Sequence, residues 1–169
     1  LAFMHPANMY HSPYVLEYWS NKYGTTFIGE LWRSARHRHD VPEVYKDFHG
    51  MDQEQFNGEM FDACRHFIYY DLPRVKEVAA PYADRHECEF TPADAEGWMS
   101  IAPSRTPQQY GYNGIRLNAP KAGETVRIGF RAQNGIQSAG WRYGFAGRKA
   151  DGTIVYSDMY SECEGSISF

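Results

Sequence analysis

The sequence predicts an α+β protein, an N-terminal helical region followed by an antiparallel β-sandwich-like region. Over the first ~80 residues apolar side chains recur at spacings of three and four, as on one face of a helix. Beyond Cys88 the period changes to two, and the turn pairs Asn134-Gly135 and Asp151-Gly152 separate the alternating runs. No helical pattern intervenes between those runs, so consecutive antiparallel strands are expected, most economically as a sandwich. The division falls at residues 1–84 and 85–169. The alternating end Ser166-Ile167-Ser168-Phe169 and the start at Leu1 make both termini look like cuts through a longer polypeptide, with the β-rich region truncated.

Each helix has its own signals. Pro13 suits the first turn of a helix through Val15, Leu16, Tyr18 and Trp19 that ends near Gly24. Thr25 or Thr26 then caps a second helix, with Phe27, Ile28, Leu31, Trp32 and Ala35 on one face and the basic run Arg36-His37-Arg38-His39 at its end. Pro42 starts a short helix through Val44, Tyr45 and Phe48, stopped by Gly50. Asp52 and Gln55 form a capping box for the helix carrying Phe56, Met60, Phe61, Cys64, Phe67 and Ile68. Pro73 breaks the pattern, and Arg74 to Ala80 adds a turn or two. In the β-rich region Val126, Ile128, Phe130 and Ala132 alternate with polar or small residues, as do Trp141, Tyr143, Phe145 and Gly147, then Ile154 and Tyr156. Trp98 to Ala102 and Gly114 to Leu117 are further strand candidates.

Composition bounds the function. With 43% hydrophobic and 22% charged residues, the 169-residue chain can bury a core and is not disordered throughout. A formal charge of −4 argues against a nucleic-acid partner, and no stretch approaches the roughly 20 apolar residues of a membrane span. Thirteen Tyr, ten Phe and four Trp mean that rings fill much of the core or form a binding surface. Cys64 lies on an apolar helix face as a buried thiol, whereas Cys88 and Cys163 leave pairing open.

No complete catalytic set is visible. H-E-x-x-H, G-x-S-x-G and phosphate-loop motifs are all missing from the sequence. The nearest metal-like cluster is His37-Arg38-His39-Asp40, with His49 within reach. Residues two apart on a helix point about 200° from each other, so His37 and His39 could chelate only from an extended segment. Arg38 between them would repel a cation, and a solvated helix end is the competing reading. Among the scattered carboxylates Glu17, Glu30, Glu54, Glu59 and Asp62, the pair Glu59 and Asp62 could share a side and raise each other's pKa, as a general acid requires. Exposed helical carboxylates are the commoner outcome.

Aromatics of the β-rich region are the candidate binding residues. Tyr110, Tyr112, Trp141 and Tyr143, with Tyr156 and Tyr160, could form stacking platforms for a sugar ring. Gln108, Gln109, Asn113 and Arg142 would then bond its hydroxyls. The competing reading is that strand alternation sends these rings into the core.

Tyr14 to Gly24, followed by Phe27 to Arg33, resembles the helical segment of secreted bacterial and fungal proteins related to zinc metallopeptidases. Met51 to Asn57, Met60-Phe61-Asp62, Gln108 to Asn113 and Trp141 to Phe145 fit the same pattern. Together they are similar to a secreted domain-of-unknown-function family, helical then β-sandwich, described as avirulence proteins. The resemblance implies a secreted or cell-surface setting and places zinc-ligand positions upstream of Leu1, so no ligand falls on a residue here. The expectation is therefore a non-catalytic C-terminal portion of a secreted, metallopeptidase-like protein, bracing an upstream site. No cofactor is expected in this chain, although zinc is possible in the full-length protein. The alternatives are a carbohydrate- or protein-binding β module, with a glycan or extracellular protein as partner, and a structural or assembly subunit pairing through a strand edge.

Overall fold

The computed structural model describes residues 14–36, 39–86, 88–132 and 140–169. Four helices form the first layer of the protein: α1 (Tyr14–Tyr23), α2 (Phe27–Ser34), α3 (Val41–His49) and α4 (Gln53–Ile68). A short α5 (Lys76–Ala79) runs into a 3-10 turn over Ala80–Arg85.

The helix ends follow local chemistry. Asp52 accepts from the Gln55 amide and Gln55 reaches back to the Asp52 amide, the expected capping box of α4. Asp40 and Glu43 form a second capping box, so α3 begins one residue before Pro42, and Gly50 closes it in the left-handed conformation. The expected cap at Thr26 makes no side-chain hydrogen bond. Helix α2 also stops short of the basic run. Ala35 is extended, and the Ser34 hydroxyl donates to the Leu31 carbonyl at 2.7 Å, taking a carbonyl that a longer helix would use. Phe27 and Leu31 are buried as the pattern predicts, but Trp32 is 63% exposed, because it lies on the flank of the narrow stripe that meets α1 and α3. The proposed start at Pro13 lies outside the described residues.

The helices enclose one apolar core of Val15, Tyr18, Trp19, Phe27, Leu31, Val44, Tyr45, Phe56, Met60, Ala63, Phe67 and Leu72. Trp19 stacks on Tyr45 with ring centroids 4.3 Å apart, and Phe56 packs beside Tyr45 at 5.6 Å. Cys64 packs against this core, and burial pushes its thiol up to about 12.

Beyond residue 88 the described strands form three two-stranded antiparallel sheets; a two-layered sandwich is not among them. Strands β1 (Phe90–Pro92) and β2 (Met99–Ile101) pair first. Strand β3 (Arg127–Arg131) pairs with the last strand, β6 (Glu164–Ser168), setting Ile128 opposite Ile167. The β4 (Ala146–Arg148) and β5 (Ile154–Tyr156) hairpin lies between them in sequence. Its turn uses Gly152 at φ +86°, with the Thr153 amide donating to the Asp151 side chain. The strand expected over Trp141–Gly147 is shorter, because Tyr143 makes only an isolated bridge to Tyr160. Residues 114–117 form no strand, and the Asn134-Gly135 turn lies outside the described residues.

Aromatic contacts join these small sheets. Trp98 lies across Gly129, where a Cβ would stand 3.1 Å from the ring, and the Arg131 guanidinium sits 4.3 Å above it. On the opposite face of β3, Phe130 stacks on Tyr143 at 4.2 Å, while Phe145 stacks on Phe169 at 5.4 Å. The β4–β5 segment in turn docks on α4. The Arg65 guanidinium donates to the Ser157 carbonyl, and Tyr156 packs on His66 at 4.8 Å.

Candidate functional site

Glu59 is the one buried charged residue among the described residues, at 6% exposure. It lies on α4 and faces α1 and α3. Lys22 Nζ donates to Glu59 Oε2 at 2.6 Å, and the Tyr45 hydroxyl donates to Oε1 at 2.8 Å. The Tyr23 hydroxyl stands 3.4 Å from Oε1 and 2.9 Å from the Tyr45 oxygen. A buried carboxylate is tolerated when its oxygens meet this many donors.

One turn along α4, Asp62 continues the network. It accepts from the Tyr18 hydroxyl and pairs with Arg65, while Lys22 Nζ lies 3.3 Å from the Tyr18 oxygen. Lysine, two carboxylates and three tyrosines thus form one continuous chain between α1, α3 and α4. The spacing that creates it is simple: Tyr18 and Lys22 are four apart on α1, and Glu59 and Asp62 are three apart on α4.

The electrostatics oppose the general-acid expectation. Burial alone would raise the Asp62 carboxyl, but the Tyr18 hydroxyl, Arg65 and nearby His66 hold it below the usual carboxylate range. Burial disfavours the Lys22 ammonium, yet its bond to Glu59 and that carboxylate's charge raise it above the ordinary lysine value. Burial, together with the adjacent carboxylates, pushes the Tyr18 and Tyr45 phenols well above their ordinary range. Glu59 and Asp62 do share a side, as the sequence allowed. The donors around Asp62 hold it ionised, so the pairing does not raise that carboxyl.

Of the candidate metal histidines, His39 and His49 have different surroundings, and His49 borders the network through Tyr23 and Tyr45. His37 lies outside the described residues. His39 is exposed in the loop after α2, with Nδ1 3.9 Å from an Asp47 oxygen. His49 ends α3 and packs among Tyr23, Tyr45, Phe27 and Phe48. Among the described residues no three His, Cys, Asp or Glu side chains converge on a metal position.

The aromatic candidates are distributed over separate contacts. Tyr110 packs edge-on against Phe56 at 5.2 Å and accepts from Gln53 Nε2 at 2.9 Å. Its backbone is left-handed, at φ +57°. Arg142 reaches the same first turn of α4, pairing with Glu54 and donating to the Trp141 carbonyl at 2.6 Å. Trp141 and Tyr143 both meet Phe130. Tyr112 lies toward the other end of α4, against Phe67 and His86, and is 37% exposed. Asn113 Nδ2 donates to the Arg105 carbonyl at 3.1 Å. Cys88 and Cys163 are free thiols.

Sequence reasoning singled out neither Lys22, Tyr18, Tyr23 nor Tyr45 for chemistry. An i,i+4 Tyr–Lys pair and an i,i+3 Glu–Asp pair on two helices expected to share a core were the available signals.

This geometry defines a mixed α+β protein whose most concentrated polar chemistry is internal to its helical layer. The chain belongs to the family of unknown function DUF6055, which matches residues 1–169. No curated protein and no solved structure matches it.

Proposed function

We propose that this chain is a non-catalytic supporting portion of a secreted protein related to zinc metallopeptidases, with its helical half bracing a site supplied by other residues. The carrying observation is the engagement of Glu59 and Asp62 by Lys22, Tyr45, Tyr18 and Arg65. These are groups that could move protons, but their donors tie three helices into a fixed frame. A brace needs such rigidity, whereas a general acid needs a carboxyl raised toward neutral pH. The metallopeptidase setting draws on the likeness of Tyr14–Gly24 and Phe27–Arg33 to that family's helical segment.

Metal analysis of the full-length protein beside this 169-residue piece tests the reading. Zinc in the full-length protein and none in the piece is the expected result. Stoichiometric zinc held by the piece alone would refute it.

Carbohydrate or protein recognition by the β-rich half is the second reading, favoured by the partly exposed Tyr112 beside Asn113. Its reach is narrower than six rings would give, because Tyr110, Trp141 and Tyr143 pack on Phe56 and Phe130. A glycan array in which Tyr112→Ala abolishes a wild-type signal would establish it, and an array without signal would dispose of the glycan form.

A further inference from the structure

His49 occupies an unusual place for a titratable ring. Its centroid lies 4.6 Å from Tyr23, 4.6 Å from Tyr45, 5.4 Å from Phe27 and 5.3 Å from Phe48. Its Nε2 is buried and makes no hydrogen bond. The cage is built from three helices, since Tyr23 ends α1, Phe27 opens α2, and Tyr45, Phe48 and His49 belong to α3.

Among the described residues, the charged and titratable groups facing the ring are few. From α1 come the Lys22 ammonium and the Tyr23 phenol, from α3 the Tyr45 phenol, and from α4 the Glu59 carboxylate; α2 presents only Phe27. Glu59 favours a charged imidazole and Lys22 disfavours it, so the two ends of their ion pair act on His49 in opposite senses, each more weakly than burial. What remains is desolvation of an imidazolium N–H inside a ring of hydrocarbon edges. The position of His49 at the end of α3 would ordinarily favour positive charge through the helix dipole, but that effect is the smaller one for a caged ring.

We propose that His49 is an acid-sensitive latch of the helical half: protonation drives the ring out of the Tyr23–Phe27–Tyr45–Phe48 cage and loosens α3 from α1 and α2. The direction is consistent with burial, which holds the imidazole below its ordinary value of 6.5. Linkage then fixes the pH window. A base with a lowered folded value contributes its full stability above its unfolded value, and that contribution falls as pH drops through it. Neutral medium keeps the latch closed; mildly acidic medium opens it.

Denaturation midpoints of wild type and His49→Phe, measured from about pH 7.5 to about pH 5, test the latch. Phenylalanine keeps the ring in the cage without the titrating nitrogens. His39, His66 and His86 remain in both proteins, so their contributions cancel in the difference. The wild-type midpoint should fall across this window, and His49→Phe should retain less than half of that fall. Equal falls in the two proteins overturn the proposal. If the variant does not fold, the His49 Cε1–H resonance of the wild type decides: a titration midpoint below 6.5 supports the latch, and one at or above it overturns it.

Discussion

Every residue of the apolar core lies between Val15 and Leu72, whereas beyond Cys88 only Ala102, Ala132 and Ile167 are buried among the described residues. The helical half is organised around a shared interior with a polar chain running through it. In the β-rich half, short paired strands meet through half-exposed rings such as Phe130 on Tyr143 and Phe145 on Phe169. The difference follows from element type. Four amphipathic helices can close around one core, whereas a two-stranded sheet buries little of its own surface and must lean on a neighbour. Here that neighbour includes α4, through Arg65, His66 and Gly58.

Truncating one ring in each half is the largest test of this contrast. Phe56 is fully buried, and Phe56→Ala should cost about 3–5 kcal/mol in urea denaturation. Phe130→Ala removes a half-buried stacked ring and should cost about 1–2 kcal/mol. Equal costs would mean that the β-rich half holds a core as tight as the helical one.

The polar chain gives the next effect. Glu59→Ala leaves the buried Tyr45 hydroxyl without its carboxylate partner and should cost about 2–3 kcal/mol, while the half-exposed Lys22 turns to water. Glu164→Ala removes the partner of the exposed Arg131 and should cost under about 1 kcal/mol. If the two substitutions proved equivalent, the α1–α4 network would be a surface feature rather than part of the frame.

Packing of the β-rich half on α4 is tested at Gly144. A Cβ there would meet Ser157 Oγ at 2.8 Å, the Asp158 carbonyl at 2.9 Å and Phe61 Cζ at 3.0 Å. Backbone is one of those neighbours and cannot swing aside, so Gly144→Ala should cost about 1–3 kcal/mol and expose residues 158–163 to limited proteolysis. Gly140→Ala, whose nearest neighbour is the end of the Arg142 side chain at 3.6 Å, is the control and should change neither.

The same asymmetry governs what could be read in advance. Helical periodicity is set within one element, so Phe56, Met60 and Phe67 were legible as core, as were the Asp52–Gln55 capping box and the Gly50 stop. Pairing of β3 with β6 depends on chain far apart in sequence, and alternation around Ile128 and Ile167 names the strands without naming their partners. Trp32 was misplaced because a periodic stripe shows which residues share a face but not how wide the contact is. The candidate site was half legible. Glu59 and Asp62 were visible as a pair, but their partners on α1 and α3 become neighbours only after the helices pack.

Acid titration separates the halves at the smallest scale. Asp62 and Asp71 both have carboxyls held below the ordinary 3.8, Asp62 by Tyr18 and Arg65 against the effect of burial, and Asp71 by Lys76 and Tyr156 against the same effect. A carboxylate depressed in the folded state stabilises fully above its unfolded value, and that contribution disappears as pH falls through the folded one. Both groups therefore act below about pH 4, well separated from the window of a buried histidine. Asp62 joins α4 to α1 inside the helical half, whereas Asp71 accepts from the Tyr156 hydroxyl of β5 and so joins the two halves. Asp62→Asn should flatten the acid limb of unfolding as followed by helical circular dichroism. Asp71→Asn should leave that limb nearly unchanged but flatten the acid-dependent release of the β4–β5 segment, followed by proteolysis. Parallel loss of both signals in both variants would show that the halves unfold as one unit, and that the docking of β5 on α4 is as cooperative as the helical core itself.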